Sequence, residues 1–312
     1  MQQTHNMNSH LFEPVYVRTH QEGILKEHSN MLREKLKCCT LCPRNCESDR
    51  LSGQTGICKT GEYAVVSSYM PHFGEERPLV GRHGSGTIFF THCNLLCNFC
   101  QNYDISHEGR GYPVGDRELA DMMLSLQALG CHNINFVTPT HVVPQIVSAL
   151  ILAIDDGLRV PLVYNSGGYD HVDTLKYLDG IVDIYMPDFK FWDPGIAKKI
   201  CKAEDYPTTV KKAVKEMHNQ VGDLVMDQSG IAQRGLLIRH LVMPEGQAGT
   251  KKVMEYISRE LSPNSYVNVM PQYRPCGQAW SDPKLSRSIT HVEFQDAVND
   301  AIHAGITRLD KV

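Results

Sequence analysis

From Ser85 onward the sequence alternates short apolar runs with stretches of helical periodicity, and few folds accommodate that alternation. The strand-type runs are GTIFFTH (86–92), NINFVTP (133–139), VPLVYNS (160–166), IVDIYMPD (181–188), LLIRHLVMP (236–244) and YVNVMP (266–271). Helical spacing follows at 117–129, at 143–154, near 171–178, across 193–219 and at 250–261, and a closing helix is expected at 290–304. Strand then helix, repeated, calls for a parallel sheet with helices packed outside it. Six such units fit either an open doubly wound sheet or a partial barrel. The expected fold class is α/β, a partial (β/α)6 TIM-like barrel. In either architecture, chemistry sits at the C-terminal ends of the strands. No Gly-x-Gly-x-x-Gly follows the first strand, which argues against a dinucleotide-binding sheet.

The cysteines are the second constraint. There are 11 in 312 residues, too few for a disulfide scaffold, and eight lie between Cys38 and Cys100. Cys131, Cys201 and Cys276 are scattered. Met1–His10 has neither a basic leader nor an apolar stretch, so it does not read as a secretory signal. An odd cysteine count without an export signal points to a reducing compartment, the cytoplasm, with thiols serving as ligands or staying free. The net charge of −4 and the lack of a Lys/Arg-rich run give no footprint for nucleic acid. No apolar run approaches the ~18 residues of a membrane helix.

Cys93, Cys97 and Cys100 follow the first strand with the spacing C-x3-C-x2-C. Three thiolates so close on one loop do not make a disulfide set, but they can wrap one metal centre. Soft thiolates favour zinc or iron and sulfur. A closed zinc site needs a fourth ligand, for which His92 and His107 are near in sequence. A four-iron, four-sulfur cluster (4Fe-4S) on three cysteines instead leaves one iron open for a small molecule. Upstream, Cys39-x2-Cys42-x3-Cys46-x11-Cys58 is a four-thiolate set with Cys38 as a spare. Four ligands make a closed site, either structural zinc or an auxiliary iron–sulfur cluster. The segment is poor in apolar residues, so a metal would give it shape.

With Phe99 just before the third cysteine, the loop resembles the signature of the radical S-adenosylmethionine (radical SAM) superfamily. Over about residues 38–275 the chain resembles the branch related to pyruvate formate-lyase activating enzyme. The likeness rests on LCPRNC (41–46), CNFCQNYDIS (97–106), NFVTPTH (135–141), YNSGGYD (164–170), MPDFK (186–190), RHLVMP (239–244) and MPQY (270–273). It implies a 4Fe-4S cluster on Cys93, Cys97 and Cys100 and S-adenosylmethionine chelating the open iron. It also implies cofactor contacts at Phe99, Asn102, Thr138, Pro139, Thr140, Asn165, Asp188, Lys190, Arg239 and Gln272. Where the superfamily carries a Gly-Gly-Glu-like turn, this chain has Thr138-Pro139-Thr140-His141, with Pro139 keeping a carbonyl acceptor. Asn165 is placed to bond the ribose. Asp188 and Lys190 share a face by strand alternation and suit a zwitterionic amino acid. Arg239 and His240 face opposite ways, and the pattern favours Arg239 for the SAM carboxylate. Gln272 and Tyr273 fall beside adenine or substrate.

The reaction so implied is reductive cleavage of SAM to a 5′-deoxyadenosyl radical that abstracts a hydrogen. The substrate is a glycine of a glycyl radical enzyme, which would make the chain an activase, or else a small molecule or peptide. From another class, a non-catalytic zinc or iron–sulfur protein remains open. Expected partners are an electron donor of flavodoxin or ferredoxin type and a protein substrate, with no nucleic acid and no membrane. The expected division is an arm and helix at 1–37 (loose to 20, helical from 21), a Cys-rich metal-binding segment at 38–84, the core at 85–275 and a C-terminal extension at 276–312.

Overall fold

Side-chain alternation along the strands builds the molecule. In the computed structural model, which describes residues 12–310, β1 (Ala64–His72), β2 (Ser85–Phe90), β3 (Tyr112–Val114), β4 (Ile134–Val137) and β5 (Leu162–Ser166) come first. They are followed by β6 (Ile184–Pro187), β7 (Val225–Met226), β8 (Ala232–Leu241), β9 (Tyr266–Met270) and β10 (Arg308–Leu309). One sheet runs β10-β9-β8-β6-β5-β4-β2-β1-β3, with β7 paired beside β8. The six anticipated strands are β2, β4, β5, β6, β8 and β9, and they are parallel neighbours in that order. The result is a partial α/β fold, an open sheet with helices outside it.

Outward residues such as Tyr164, Tyr185, Leu236, Ile238 and Val267 pack under the helices in one large core. Val163, Ile184, Met186, Leu237 and Tyr266 face the other way and form a second, inner core. Leu79 completes the inner core from the short helix Arg77–Val80, which lies between β1 and β2 in the chain. The Leu79 carbonyl is held by Asn133 Nδ2 at 2.9 Å. This connector therefore plugs the concave side of the sheet.

Several expectations need correction. The 38–84 stretch is not one Cys-rich segment. Its second half contributes β1, antiparallel to β2 and β3, and the inner plug. The C-terminal extension adds β10 parallel to β9. Within the expected loose arm, Val15–Gln21 is helical, and the anticipated helix at 21–37 starts only at Ile24. Gly23 separates the two helices at φ 78°, a left-handed conformation that glycine adopts at no steric cost. The remainder of that arm, and the leader sequence judged absent from Met1–His10, fall in residues 1–11, outside the described residues. Among the described residues no helix is long and apolar enough to cross a membrane.

Leu79 is fully buried, so Leu79→Ala opens a cavity between plug and sheet. Denaturant unfolding should show a loss of roughly 2–5 kcal/mol, and a loss near zero would mean that the plug is not seated.

Candidate active site

The C-terminal ends of the parallel strands converge on a cavity of about 160 Å³. Cys93, Cys97, Cys100 and Asn102 line it from the loop after β2, Thr138 from the turn after β4, and Asn165 from the end of β5. Asp188 and Lys190 enter from the end of β6 and Arg239 from β8. The strand ends are also stitched by backbone. Thr138 N donates to Asn165 O (2.9 Å), Asp188 N to Ser166 O (2.9 Å) and Phe189 N to Arg239 O (2.8 Å).

Buried charge dominates one wall. Arg239 Nε donates to Asp188 Oδ1 and its Nη2 to Asn165 Oδ1, each at 2.7 Å. Lys190 Nζ donates to the other Asp188 oxygen. Burial works to raise the Asp188 carboxyl, but the two cations outweigh it and hold Asp188 below the usual range. Beneath Arg239 lie Glu75 and Glu76, at 3.8 and 3.9 Å from its guanidinium. Glu76 Oε1 accepts from Asn268 Nδ2 on β9, whereas Oε2 is buried without a partner. Burial pushes the Glu75 carboxyl up to about 7, with Arg239 pulling it down and Glu76 and Asp188 adding to the rise.

Backbone strain marks the cysteines. Among the described residues eight non-glycine residues have positive φ, and six of them adjoin a cysteine. Asn45 and Glu47 flank Cys46, Lys59 follows Cys58, His92 and Leu96 precede Cys93 and Cys97, and Lys202 follows Cys201. A seventh is Thr138 at φ 62°, a severe outlier for a β-branched residue. Such strain persists only where the surroundings enforce it, and it concentrates at working sites. Donors also point at sulfur: Leu95 N donates to Cys93 Sγ (3.3 Å), Ile57 N to Cys46 Sγ (3.5 Å) and Ser106 Oγ to Cys100 Sγ (3.2 Å). Cys97 Sγ lies 3.1 Å from Cys201 Sγ. Burial pushes the Cys93 thiol up to about 12, and its Cys201 contact followed by burial raises Cys97 further.

The general model of the radical SAM superfamily matches residues 87–228, which contain this cysteine loop and the turns after β4, β5 and β6. A protein of Methanocaldococcus jannaschii described as uncharacterized is 33% identical over 272 residues, covering 84% of this chain and 73% of that protein. The chain belongs to the radical SAM superfamily. It is an enzyme, a radical SAM oxidoreductase, and the family works with S-adenosylmethionine and an iron–sulfur cofactor. A crystal structure of methylornithine synthase (PylB) aligns over 96% of this chain and 82% of its own, at 12% identity and a TM-score of 0.45. That likeness is too loose to bear on activity.

The residues around the cavity of this radical SAM chain fit such a cofactor. Three sulfurs share one wall, donors already point at them, and buried thiols that resist ionisation in the apo chain are the kind a metal deprotonates on binding. Asn102, Thr138, Asn165, Asp188, Lys190 and Arg239 line the same space. Four other expected contacts lie outside it. Phe99 packs on Phe191 and Tyr273 at 6.2 and 5.8 Å, so the aromatic residue before the third cysteine supports the loop from behind. The Pro139 carbonyl is taken by Val142 N (2.9 Å), and Thr140 Oγ1 is turned to the buried Asp170 (2.7 Å). Gln272 is exposed, its carbonyl accepting from Gln101 Nε2, and Tyr273 OH bonds Leu285 O at 2.7 Å. The Arg239 fork, expected to grip a carboxylate, is engaged with Asp188 and Asn165. His240 faces outward between Phe189 O (2.7 Å) and Thr250 Oγ1 (2.9 Å), a structural role.

Cys39, Cys42, Cys46 and Cys58 line one pocket together with Arg50 and His141. Among the described residues no three His, Cys, Asp or Glu side chains form a ready cage for a metal ion, so neither the Cys93, Cys97 and Cys100 loop nor the expected Cys-rich metal-binding segment is visible as a preformed cluster. Glu75 and Glu76 escaped sequence reading altogether, because their contact with Arg239 depends on the plug crossing beneath β8.

Asp188→Asn leaves Arg239 and Lys190 buried without their shared counter-ion. Unfolding experiments should show a loss of ~3–5 kcal/mol, and a near-neutral result would refute the buried pairing. Glu75 supplies a pH test. Its proton stays on in the folded chain to about pH 7 but leaves an ordinary unfolded carboxyl near 4.5. The folded state therefore binds more protons across that window, and stability falls as pH rises through it. Between about pH 5 and about pH 8, Glu75→Gln should gain on the wild type by on the order of 1–3 kcal/mol. Parallel pH profiles for the two proteins would contradict this.

Proposed function

We propose that the cavity at the strand ends binds S-adenosylmethionine beside a 4Fe-4S cluster held by Cys93, Cys97 and Cys100, and that the substrate is a small molecule or short peptide. The observation that carries the reading is the convergence on one cavity of three cysteines, a strained polar turn and a charged wall. When bound, the cluster and S-adenosylmethionine supply a 5′-deoxyadenosyl radical that takes a hydrogen from the substrate. The chain's own part is placement. Lys190 and Arg239 are both paired with Asp188, and Lys190 brings an ammonium to the cavity wall where a ligand carboxylate could meet it. The strained Thr138 brings its turn to the cavity wall, and Asn165 holds Arg239 in place. Burial of this wall excludes water and strengthens each of these interactions.

The small-substrate reading is supported by how the chain covers its own loop. Gln278 N donates to Asn98 O at 2.8 Å, and Gly277, at φ 52°, lies so close that a Cβ there would stand 2.6 Å from the Tyr103 ring. Residues 272–282 thus lie against one side of the cysteine loop and the upstream segment against the other, leaving less room for a folded protein to approach. The activase reading draws instead on the sequence likeness at YNSGGYD and MPDFK, and an electron donor of flavodoxin or ferredoxin type serves both. The pocket of Cys39, Cys42, Cys46 and Cys58 holds a second metal, as zinc or an auxiliary cluster. Its buried, unpartnered Arg50 Nη2 suits an anionic metal–thiolate group.

Anaerobic reconstitution tests these readings. Reduced protein should release methionine and 5′-deoxyadenosine from S-adenosylmethionine without any protein partner. Cys97→Ala should abolish cleavage and lower the iron content by about one cluster's worth. Cleavage that appears only with a glycyl radical enzyme, accompanied by a glycyl radical signal, would favour the activase. No iron binding at all would overturn both.

A further inference from the structure

The upstream segment meets the catalytic loop through Arg44 and the turn after β4 through Arg50. Arg44 lies between Cys42 and Cys46, yet its guanidinium points away from its own loop. Nε donates to the Asn94 carbonyl (2.8 Å), Nη1 to Lys202 (2.5 Å), and Nη2 to Leu95 (3.3 Å) and Cys201 (3.1 Å). One side chain thus grips the backbone between Cys93 and Cys97 and the end of the helix Pro194–Cys201, whose last residue touches the Cys97 sulfur. Its guanidinium also stands over the Tyr169 ring at 5.1 Å. Asn94, inside the catalytic loop, donates from Nδ2 to the same Tyr169 at its carbonyl, 2.8 Å away.

Arg50 makes the second connection. It is 1% exposed and donates to Gly61 O (2.9 Å) and His141 O (2.8 Å). His141 ends the turn that begins at the strained Thr138. The His141 ring donates from Nε2 to Thr91 O (2.9 Å), so its Nδ1 is a bare acceptor, buried without a partner beside the cysteine pocket.

Little else orders this segment. Between Cys38 and Lys59 its regular structure is a single 3-10 turn, Arg50–Ser52. A stretch with so few backbone bonds of its own needs another source of order, and metal binding to four of its thiolates is the available one.

We propose that the upstream segment is a metal-dependent clamp. Metal at Cys39, Cys42, Cys46 and Cys58 holds Arg44 and Arg50 where they fix the Cys93–Leu95 backbone and the Thr138–His141 turn, so that loading upstream shapes the catalytic cavity. The clamp rests on the reading above that these four cysteines bind metal.

Full-length protein, prepared without oxygen, tests the clamp by elemental analysis together with backbone hydrogen exchange on peptides covering 92–98 and 138–142. Cys46→Ser should lose the upstream metal and exchange about tenfold faster in both peptides. Arg44→Lys keeps the charge but loses the fork. It should retain the upstream metal and speed exchange at 92–98 alone, since Arg50 still holds the turn. Upstream metal lost with exchange unchanged in both peptides would overturn the clamp and leave the metal reading standing. Wild-type protein with no metal beyond the catalytic cluster would overturn the metal reading, and the clamp with it. If Cys46→Ser does not fold, Arg44→Lys still decides: metal retained and exchange at 92–98 unchanged refutes the clamp.

Discussion

A guanidinium buried at the mouth of the sheet organises the rest. Arg239 is 17% exposed at its side chain and touches Asp188 and Asn165, which end β6 and β5. A charge so far from water is tolerable only with counter-charge and hydrogen bonds around it. Meeting that need brings three strand ends to one spot. It also draws in Glu75 and Glu76 from the connector that plugs the inner core, and shares Asp188 with Lys190. The neighbouring strands cannot slide relative to one another without breaking these contacts. The wall that a zwitterionic ligand would meet is thus a product of the same network that closes the fold.

The second organising element is local strain. Positive φ at non-glycine residues gathers at cysteines and at Thr138, and two backbone N–H groups in the same segments donate to sulfur. The strain is shared by the catalytic loop and the upstream segment, which treats Cys46 and Cys58 as the same kind of object as Cys93 and Cys97. Cys201 joins them, although nothing around it in the sequence distinguishes it from a buried structural thiol. Its pairing with Cys97 exists only because a helix from beyond β6 ends against the loop after β2.

What was legible in the sequence follows the range of the interactions involved. Periodicity is local, so all six parallel strands and the main helices could be read. The placement of residues at strand ends could also be read, because alternation puts Asp188 and Lys190 on one face and Arg239 and His240 on opposite ones, with the family resemblance choosing Arg239 for the inner face. β1 was missed because Pro71 interrupts its run, and proline within a run usually argues against a paired strand. It survives here because β3 covers only Ala64–Val66, so Pro71, in register with Gly86 of β2, has no β3 neighbour on its other edge. Glu75, Glu76, Arg44 and Arg50 act across long sequence separations, and no local pattern reports that. Phe99 and Gln272 show the opposite error. Proximity in sequence to the cysteines and to β9 implied contact with the cavity, whereas the side chains turn into an aromatic cluster and out to solvent.

The cover over the catalytic loop bears on what such a chain can act upon. Two segments far apart in sequence lie against it, one carrying four cysteines and the other anchored by Gly277 and Gln278. Each costs conformational entropy to order, and a chain that only needed to hold a cluster would gain nothing from either. A site that makes a radical does gain, because a closed cavity keeps water and stray hydrogen donors away from it. The two covers differ in kind. The C-terminal one is held by hydrogen bonds and packing, and a substrate could displace it. The upstream one is held by arginine forks on backbone carbonyls and by the thiolate pocket behind them.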